Sequence, residues 1–143
     1  MLKINFDGAY FPTSGTGGWG YAIRDNQGVV CRAGAGSEAF LQNTFHAELL
    51  GCVEGLKMAA QMGMAQVILE TDASIVKLAI EGDEYQLSSM GGVITEIKHL
   101  MAMEFSSCVI SICSRNCNKL AHEPTSLGCH LPGGESTTWD VVP

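Results

Sequence analysis

The chain has 143 residues and a mass of 15.2 kDa, the size of one ordinary domain, with 46% apolar and 16% charged residues. That balance excludes a disordered chain and provides for a sizeable core. Eight Lys and Arg against fifteen Asp and Glu leave a formal charge of −7, which argues against nucleic-acid binding driven by clustered basic residues but not against a carboxylate site that meets phosphate through divalent cations.

No apolar run approaches the roughly 20 residues of a membrane-spanning helix. The N-terminus, MLKINFDGAY, lacks the basic-then-apolar layout of a signal peptide. The expectation is a soluble intracellular protein, cytoplasmic or nuclear, with no membrane partner. Cys31, Cys52, Cys108, Cys113, Cys117 and Cys129 sit mostly inside apolar patterns. They are expected to be reduced core residues, since a chain with a real core needs no disulfide framework. Cys113 and Cys117 stand four residues apart with no second pair, which is poor zinc spacing even with His122 or His130 added.

In chain order, Leu2, Ile4 and Phe6 alternate with Lys3, Asn5 and Asp7, the period of a strand with one apolar and one polar face. Gly15-Thr16-Gly17-Gly18 resembles a phosphate loop but lacks a following Lys-Ser or Lys-Thr and precedes a strand, so it reads as a turn. Trp19 to Asp25 and Val29 to Ala35 flank Asp25-Asn26-Gln27-Gly28, which predicts a β-hairpin. Phe45, Leu49, Cys52, Val53, Leu56, Ala59 and Ala60 form a helical stripe four turns long, capped by Asn43 or Thr44 and ended by Gly63.

Val67-Ile68-Leu69 reads as a strand buried on both faces. A second helix begins near Ala73, with Ile75, Val76, Ala79 and Ile80 on one side and Gly82 past its end. A third opens at Ser88 or Ser89 and carries Val93, Ile94, Ile97, Leu100 and Met101. Cys108 to Cys113 alternates as a strand. A short last helix runs from about Cys117, with Leu120 and Ala121 inward, until Pro124 disturbs it. Gly133 to Ser136 reads as loop, with Trp139 tucking back onto the body. The order β-β-β-α-β-α-α-β-α predicts a mixed α/β fold: a five-stranded sheet, antiparallel in its first three strands, covered by helices. One domain spans 1–130 and a C-terminal tail spans 131–143, with no internal repeat.

Three carboxylates fit the places where sites gather in such sheets, at strand ends and helix starts. Asp7 lies on the polar side of the first strand. Glu48 lies about 75° off the centre of the first helix's apolar stripe, at its margin. Asp72 follows the buried strand and precedes a helix, where it could equally be an N-cap. Crowded carboxylates repel unless cations sit between them, and their hard oxygens suit Mg²⁺. A pair of such ions can activate water and stabilise the leaving oxygen of a phosphodiester.

The segments INFDGA, GTGGWGYAIRDNQG, FHAELLGCVEGLKMAAQMG, VILETDASIVKLAI and SRNCNKLAH together resemble the plant ribonuclease-H-like domain. That group is related to the ribonuclease H portion of retroelement reverse transcriptases. The resemblance runs from about Lys3 to Gly128 in matching order. It implies the ribonuclease H-like fold, with helices on both faces of the sheet. It also implies Mg²⁺- or Mn²⁺-dependent cleavage of the RNA strand of an RNA·DNA hybrid. Asp7, Glu48 and Asp72 are then the catalytic metal ligands.

The family's fourth carboxylate is the Asp of an N-x-x-A-D pattern on the last helix. Here Asn118-Lys119-Leu120-Ala121-His122 puts histidine there, with Glu123 beside it. His122 is therefore expected at the site's rim as an imperfect fourth member. The loop Ser114-Arg115-Asn116 lacks the histidine that active relatives often carry, and no basic helix is present to grip a hybrid. Gly8, Asn43, Thr44 and Asn118 are the expected substrate contacts, although Asn43, Thr44 and Asn118 serve equally well as helix caps. His46, His99 and His130 read as margin or surface residues. The alternative to a nuclease is a catalytically inactive domain of the same fold that binds nucleic acid or protein. A pure interaction module would need an exposed face around Met90, Met101 and Met103.

Overall fold

The alternation that begins the chain continues past Asp7, so the first strand, β1, spans Leu2–Phe11. β2 (Thr16–Arg24) and β3 (Val30–Glu38) follow as a meander. The computed structural model describes residues 1–140. Val141, Val142 and Pro143, the end of the expected tail, lie outside the described residues. The remaining elements are α1 (Thr44–Gln61), β4 (Gln66–Thr71), α2 (Ser74–Glu81), α3 (Gly91–Met103), β5 (Ser107–Ile112), α4 (Lys119–Cys129) and β6 (Ser136–Asp140). The sheet order is β5-β4-β1-β2-β3-β6. β1, β2, β3 and β6 pair antiparallel in turn, while β4 joins β1, and β5 joins β4, in parallel. Among the described residues, no helix is long and apolar enough to cross a membrane.

Ile4, Phe6, Trp19 and Tyr21 on the strands meet Leu49, Leu56, Val76, Ile94 and Ile97 of α1, α2 and α3 in one apolar core. α4 covers the opposite face, packed on β1, β2 and β3. Two glycines allow this sandwich to close tightly. A Cβ on Gly8 would stand 2.3 Å from the Glu48 backbone nitrogen on α1. A Cβ on Gly20, paired across the strands with Asp7, would stand 2.3 Å from the Thr125 backbone nitrogen on α4. Because paired residues share a face and neighbours along a strand alternate, the two helices press on opposite sides of one strand pair.

Several expectations need correcting. The sheet has six strands rather than five, because Ser136–Asp140 of the expected loop and tail adds to the open edge of β3, with Trp139 opposite Ala33. Thr16, Gly17 and Gly18 belong to β2, and the turn is confined to the residues before them. The middle of β1's polar face is not solvated: α4 packs on the strand and Asn5 is fully buried. α3 starts at Gly91, later than Ser88 or Ser89; the Ser88 hydroxyl instead accepts from the Met90 N–H at 3.2 Å.

Ile75 and Leu120 are partly exposed, so the inward faces of α2 and α4 are narrower than their periodicity implies. α4 continues five residues past Pro124. The Thr125 hydroxyl donates to the Ala121 carbonyl at 2.7 Å, and the Pro124–Thr125 segment seats against Gly20. That packing offsets the roughly 3 kcal/mol that an interior proline costs. Of the cysteines, Cys52 alone is buried and Cys117 is exposed; all six are free thiols. Met90 is in the core, Met101 packs partly against it, and Met103 is exposed, so no methionine face is presented.

Gly20→Ala is expected to destabilise the fold by about 1–3 kcal/mol, because α4 must lift off β2. Gly92→Ala, with open space around it on α3, should instead raise stability by roughly 0.5–1 kcal/mol. Urea denaturation of both variants checks the pair.

Candidate active site

β4 pairs with β1 only as far as Glu70 opposite Asn5, so the last turn of pairing leaves Asp7 beyond the end of β4. Asp72 follows β4 directly. The close approach at Gly8 brings the second turn of α1, and with it Glu48, to the same end of the sheet. α4 closes the other side. The result is an open groove of about 680 Å³ bordered by seven of the eight expected site residues: Asp7, Gly8, Thr44, Glu48, Asp72, Asn118 and His122.

The charges in this groove are mutually unfavourable. Burial raises the Glu48 carboxyl to about 8 from an ordinary 4.5, with the Asp7 and Asp72 charges adding to the shift. Asp7 is also raised. Burial is the main cause, opposed by the Gly8 N–H that donates to it, while the Asp72 charge raises it further and His122 lowers it. The His122 Nδ1 lies 3.4 Å from Asp7 Oδ2, and the His122 side chain is 67% exposed. Arg115, in the segment before α4, and Lys119, the first residue of α4, also line the groove. Among the described residues, no three Asp, Glu, His or Cys side chains converge tightly enough to hold a metal ion as they stand. Asp7, Glu48 and Asp72, the expected metal ligands, face one groove from β1, α1 and the end of β4, close enough for their charges to act on one another. The donor set is nonetheless all carboxylate oxygen, which fits Mg²⁺ or Mn²⁺.

Asn43 caps α1, its Oδ1 accepting from the His46 N–H at 2.8 Å, so the expected substrate contact is a cap. Thr44, the first residue of α1, borders the groove and is exposed. Asp72 is not a cap: Ala73 precedes α2 with no side-chain cap, the Thr71 hydroxyl accepts from the Ala73 N–H at 3.1 Å, and the Asp72 carboxylate accepts from Asn118 Nδ2 instead. Asn118 is 3% exposed and its amide is fully engaged within the protein, which corrects its expected role as a substrate contact. Glu123 turns away from the groove, to a shallow apolar cleft beside Leu120 and Trp139, and is no substitute fourth ligand.

Sequence reasoning missed the wall formed by Arg115, Lys119 and His130, and the exposed Phe11 at the far end of β1. It also missed Arg24 and Glu70 behind the site. A signal was present: residues two apart on a strand share a face, so Glu70 goes with Asp72 and Asn5 goes with Asp7.

This arrangement is that of the ribonuclease H-like fold. RNase H1 of the halophilic archaeon Halobacterium salinarum superposes with a TM-score of 0.81 at 19% identity, covering 89% of this chain and 96% of that one. The N-terminal RNase H domain of a Mycobacterium tuberculosis protein, solved as a maltose-binding-protein fusion, gives 0.81 at 18%, covering 90% and 92%. LC11-RNase H1 from compost, solved in complex with an RNA/DNA hybrid, gives 0.81 at 16%, covering 90% and 96%. At these identities the likeness establishes the fold. No curated protein matches the sequence significantly. Residues 5–126 match the reverse transcriptase-like family model, and the chain belongs to that family as an RNase H-like domain.

Glu48 also sets a pH-dependent cost. Its folded carboxyl titrates near 8 against 4.5 when unfolded. The native state therefore holds the proton more tightly, and stability falls as pH rises between those values. In metal-free protein, Glu48→Gln should raise Tm by about 3 °C at pH 9 and leave it unchanged at pH 4. Thermal unfolding followed by circular dichroism in chelator tests this, and an equal gap at both pH values would contradict it.

Proposed function

We propose that this domain is a divalent-cation-dependent nuclease that cuts the RNA strand of RNA·DNA hybrids at a low rate. The observation that carries the reading is the meeting of Asp7, Glu48 and Asp72, from β1, α1 and the end of β4, at one groove where burial and mutual charge raise two of them. That cost to the fold is what a cation site relieves. Asp7, Glu48 and Asp72 would hold Mg²⁺ or Mn²⁺. The chemistry such ions supply is activation of water and neutralisation of charge on the leaving oxygen.

The chain's own residues supply the rest. Arg115 and Lys119, lining the same groove, meet backbone phosphates, which reconciles the −7 net charge with a polyanionic substrate. Gly8 and Thr44 leave the floor beside Asp7 and Glu48 open to the RNA strand. A hybrid is recognised there by shape and 2′-hydroxyls rather than by base sequence. LC11-RNase H1, which shares this fold, was solved bound to such a hybrid. His122 takes the rim position beside Asp7. Imidazole is a poor partner for Mg²⁺ and an adequate one for Mn²⁺, so Mn²⁺ should support the faster reaction.

The second reading is an inactive hybrid-binding module. It is favoured by the imidazole standing beside Asp7 where relatives carry a fourth carboxylate.

Incubation with labelled RNA·DNA hybrid, duplex RNA and duplex DNA in Mg²⁺ or Mn²⁺ separates the two. The nuclease reading expects hybrid-specific cleavage that falls on the order of 100-fold in Asp7→Asn, equivalent to about 2.7 kcal/mol of barrier. His122→Asp should raise the Mg²⁺-supported rate several-fold. Tight hybrid binding with no cleavage in either metal, in the wild type and in His122→Asp alike, would establish the inactive module.

A further inference from the structure

Behind the groove lies a chain of buried polar side chains whose hydrogen bonds all run in one direction. Arg24 pairs with Glu70, and its Nε donates to the Asn5 Oδ1 at 2.9 Å. The Asn5 Nδ2 donates to the Asn118 Oδ1 at 3.1 Å and to Glu70 Oε1 at 3.4 Å. The Asn118 Nδ2 donates to the Phe6 carbonyl at 2.9 Å and to Asp72 Oδ1 at 3.2 Å. Asn5 is fully buried, Glu70 is 7% exposed and Asn118 is 3% exposed.

The direction is not arbitrary. A guanidinium has donors and no acceptor. Arg24 therefore forces the Asn5 oxygen toward itself and the Asn5 amino group toward Asn118. That in turn fixes the Asn118 oxygen inward and its amino group outward, onto Asp72 and the backbone just before Asp7. Turning either amide over would set donor against donor in a space that water does not reach, leaving groups whose burial is costly. Asp72 depends on this hold, because it caps no helix and its own side chain is exposed.

We infer that Arg24 is a positioning residue for the active site: through Asn5 and Asn118 it sets the orientation of the Asp72 carboxylate and of the backbone that presents Asp7. The inference rests on the proposed cation site for its functional consequence, while the orientation itself can be read without any metal. The Arg24–Glu70 pair is then more than a buried salt bridge. A purely structural pair can be replaced by apolar side chains of similar size at little cost. Replacing a pair that sets the direction of the hydrogen bonds also releases the side chains it orients, whatever it does to stability.

The test is the double variant Arg24→Met/Glu70→Met. Its Tm should stay within about 5 °C of the wild type, as for other buried pairs replaced by apolar residues. By NMR, the Asn118 side-chain NH₂ should exchange with water at least tenfold faster (an order-of-magnitude expectation), and the Asp72 carboxyl ¹³C resonance should shift. The Mg²⁺ dissociation constant should weaken about tenfold, the scale of losing a partner that orients a metal ligand. Arg24→Lys, still a donor without an acceptor, should restore protection and affinity.

An Asn118 NH₂ as protected as in the wild type, or an unchanged Mg²⁺ affinity, overturns the inference. If the wild type takes up no Mg²⁺, the nuclease reading fails and the two NMR signals alone decide the positioning role: movement supports it and constancy overturns it. If the double variant does not fold, Asn118→Ala is read in the same way, through the Asp72 resonance and Mg²⁺ affinity. An unmoved resonance with unchanged affinity there is equally fatal.

Discussion

Two helices can press on opposite faces of the same pair of strands only if the strands carry no side chains at the points of contact. Gly8 and Gly20 meet that condition. Gly8 lets the start of α1 settle on β1, and Gly20 lets α4 settle on β2 across from Asp7. Asp7 is thereby fixed where α1, β1 and α4 come together. Glu48 is the residue whose backbone touches the Gly8 contact, so the spacing between these two carboxylates is a packing distance rather than a loop's preference. Everything chemical in the groove follows from this approach.

The same approach determines what lies beneath. Once α4 packs on β1, Asn5 in the middle of its polar face can no longer hydrogen-bond to water. Asn5 and Asn118 satisfy each other and the groups around them, and no buried side-chain nitrogen or oxygen is left without a partner among the described residues. Glu70 enters this dry layer because Arg24 accompanies it, with Lys3 at 3.9 Å on its outer side. The groove itself is not balanced in this way. Asp7 and Glu48 shift toward their neutral forms, and Arg115 and Lys119 line the same groove without pairing with either. The fold thus carries a neutralised polar layer under an unbalanced acidic one, a cost that the proposed cation site would relieve.

The last helix illustrates how tertiary contacts override local preference. Pro124 disturbs the last helix in the sequence reading, yet α4 runs to Cys129 because its next residue seats against Gly20 and its hydroxyl donates to the Ala121 carbonyl. The continuation matters to the groove, since it carries His130 to the rim. The added strand β6 is the same kind of event. Ser136–Asp140 has little to mark it as a strand until β3 offers an unpaired edge, and Arg32 meets Asp140 across it.

By itself, the sequence determined whatever depends on neighbours in the chain. The two-residue alternation of β1, the turn residues of the hairpin, the apolar stripe of α1 and the run Val67-Ile68-Leu69 each encode an element through local geometry. The order of those elements constrains the sheet. The positions of Asp7 on the polar face of β1, Glu48 at a helix margin and Asp72 just past β4 were legible for the same reason. The tertiary structure alone decided what depends on residues brought together from afar. Asn118 became a buried support rather than a surface contact, because Asn5, 113 positions away, faces it across the sheet. Glu123 left the site while His122 stayed, because the seat at Gly20 sets the rotation of α4. The direction of the amides behind Asp72 was settled by Arg24, a residue on a third strand. Periodicity reports which face of an element is apolar; which partner that face meets is fixed only when the layers close.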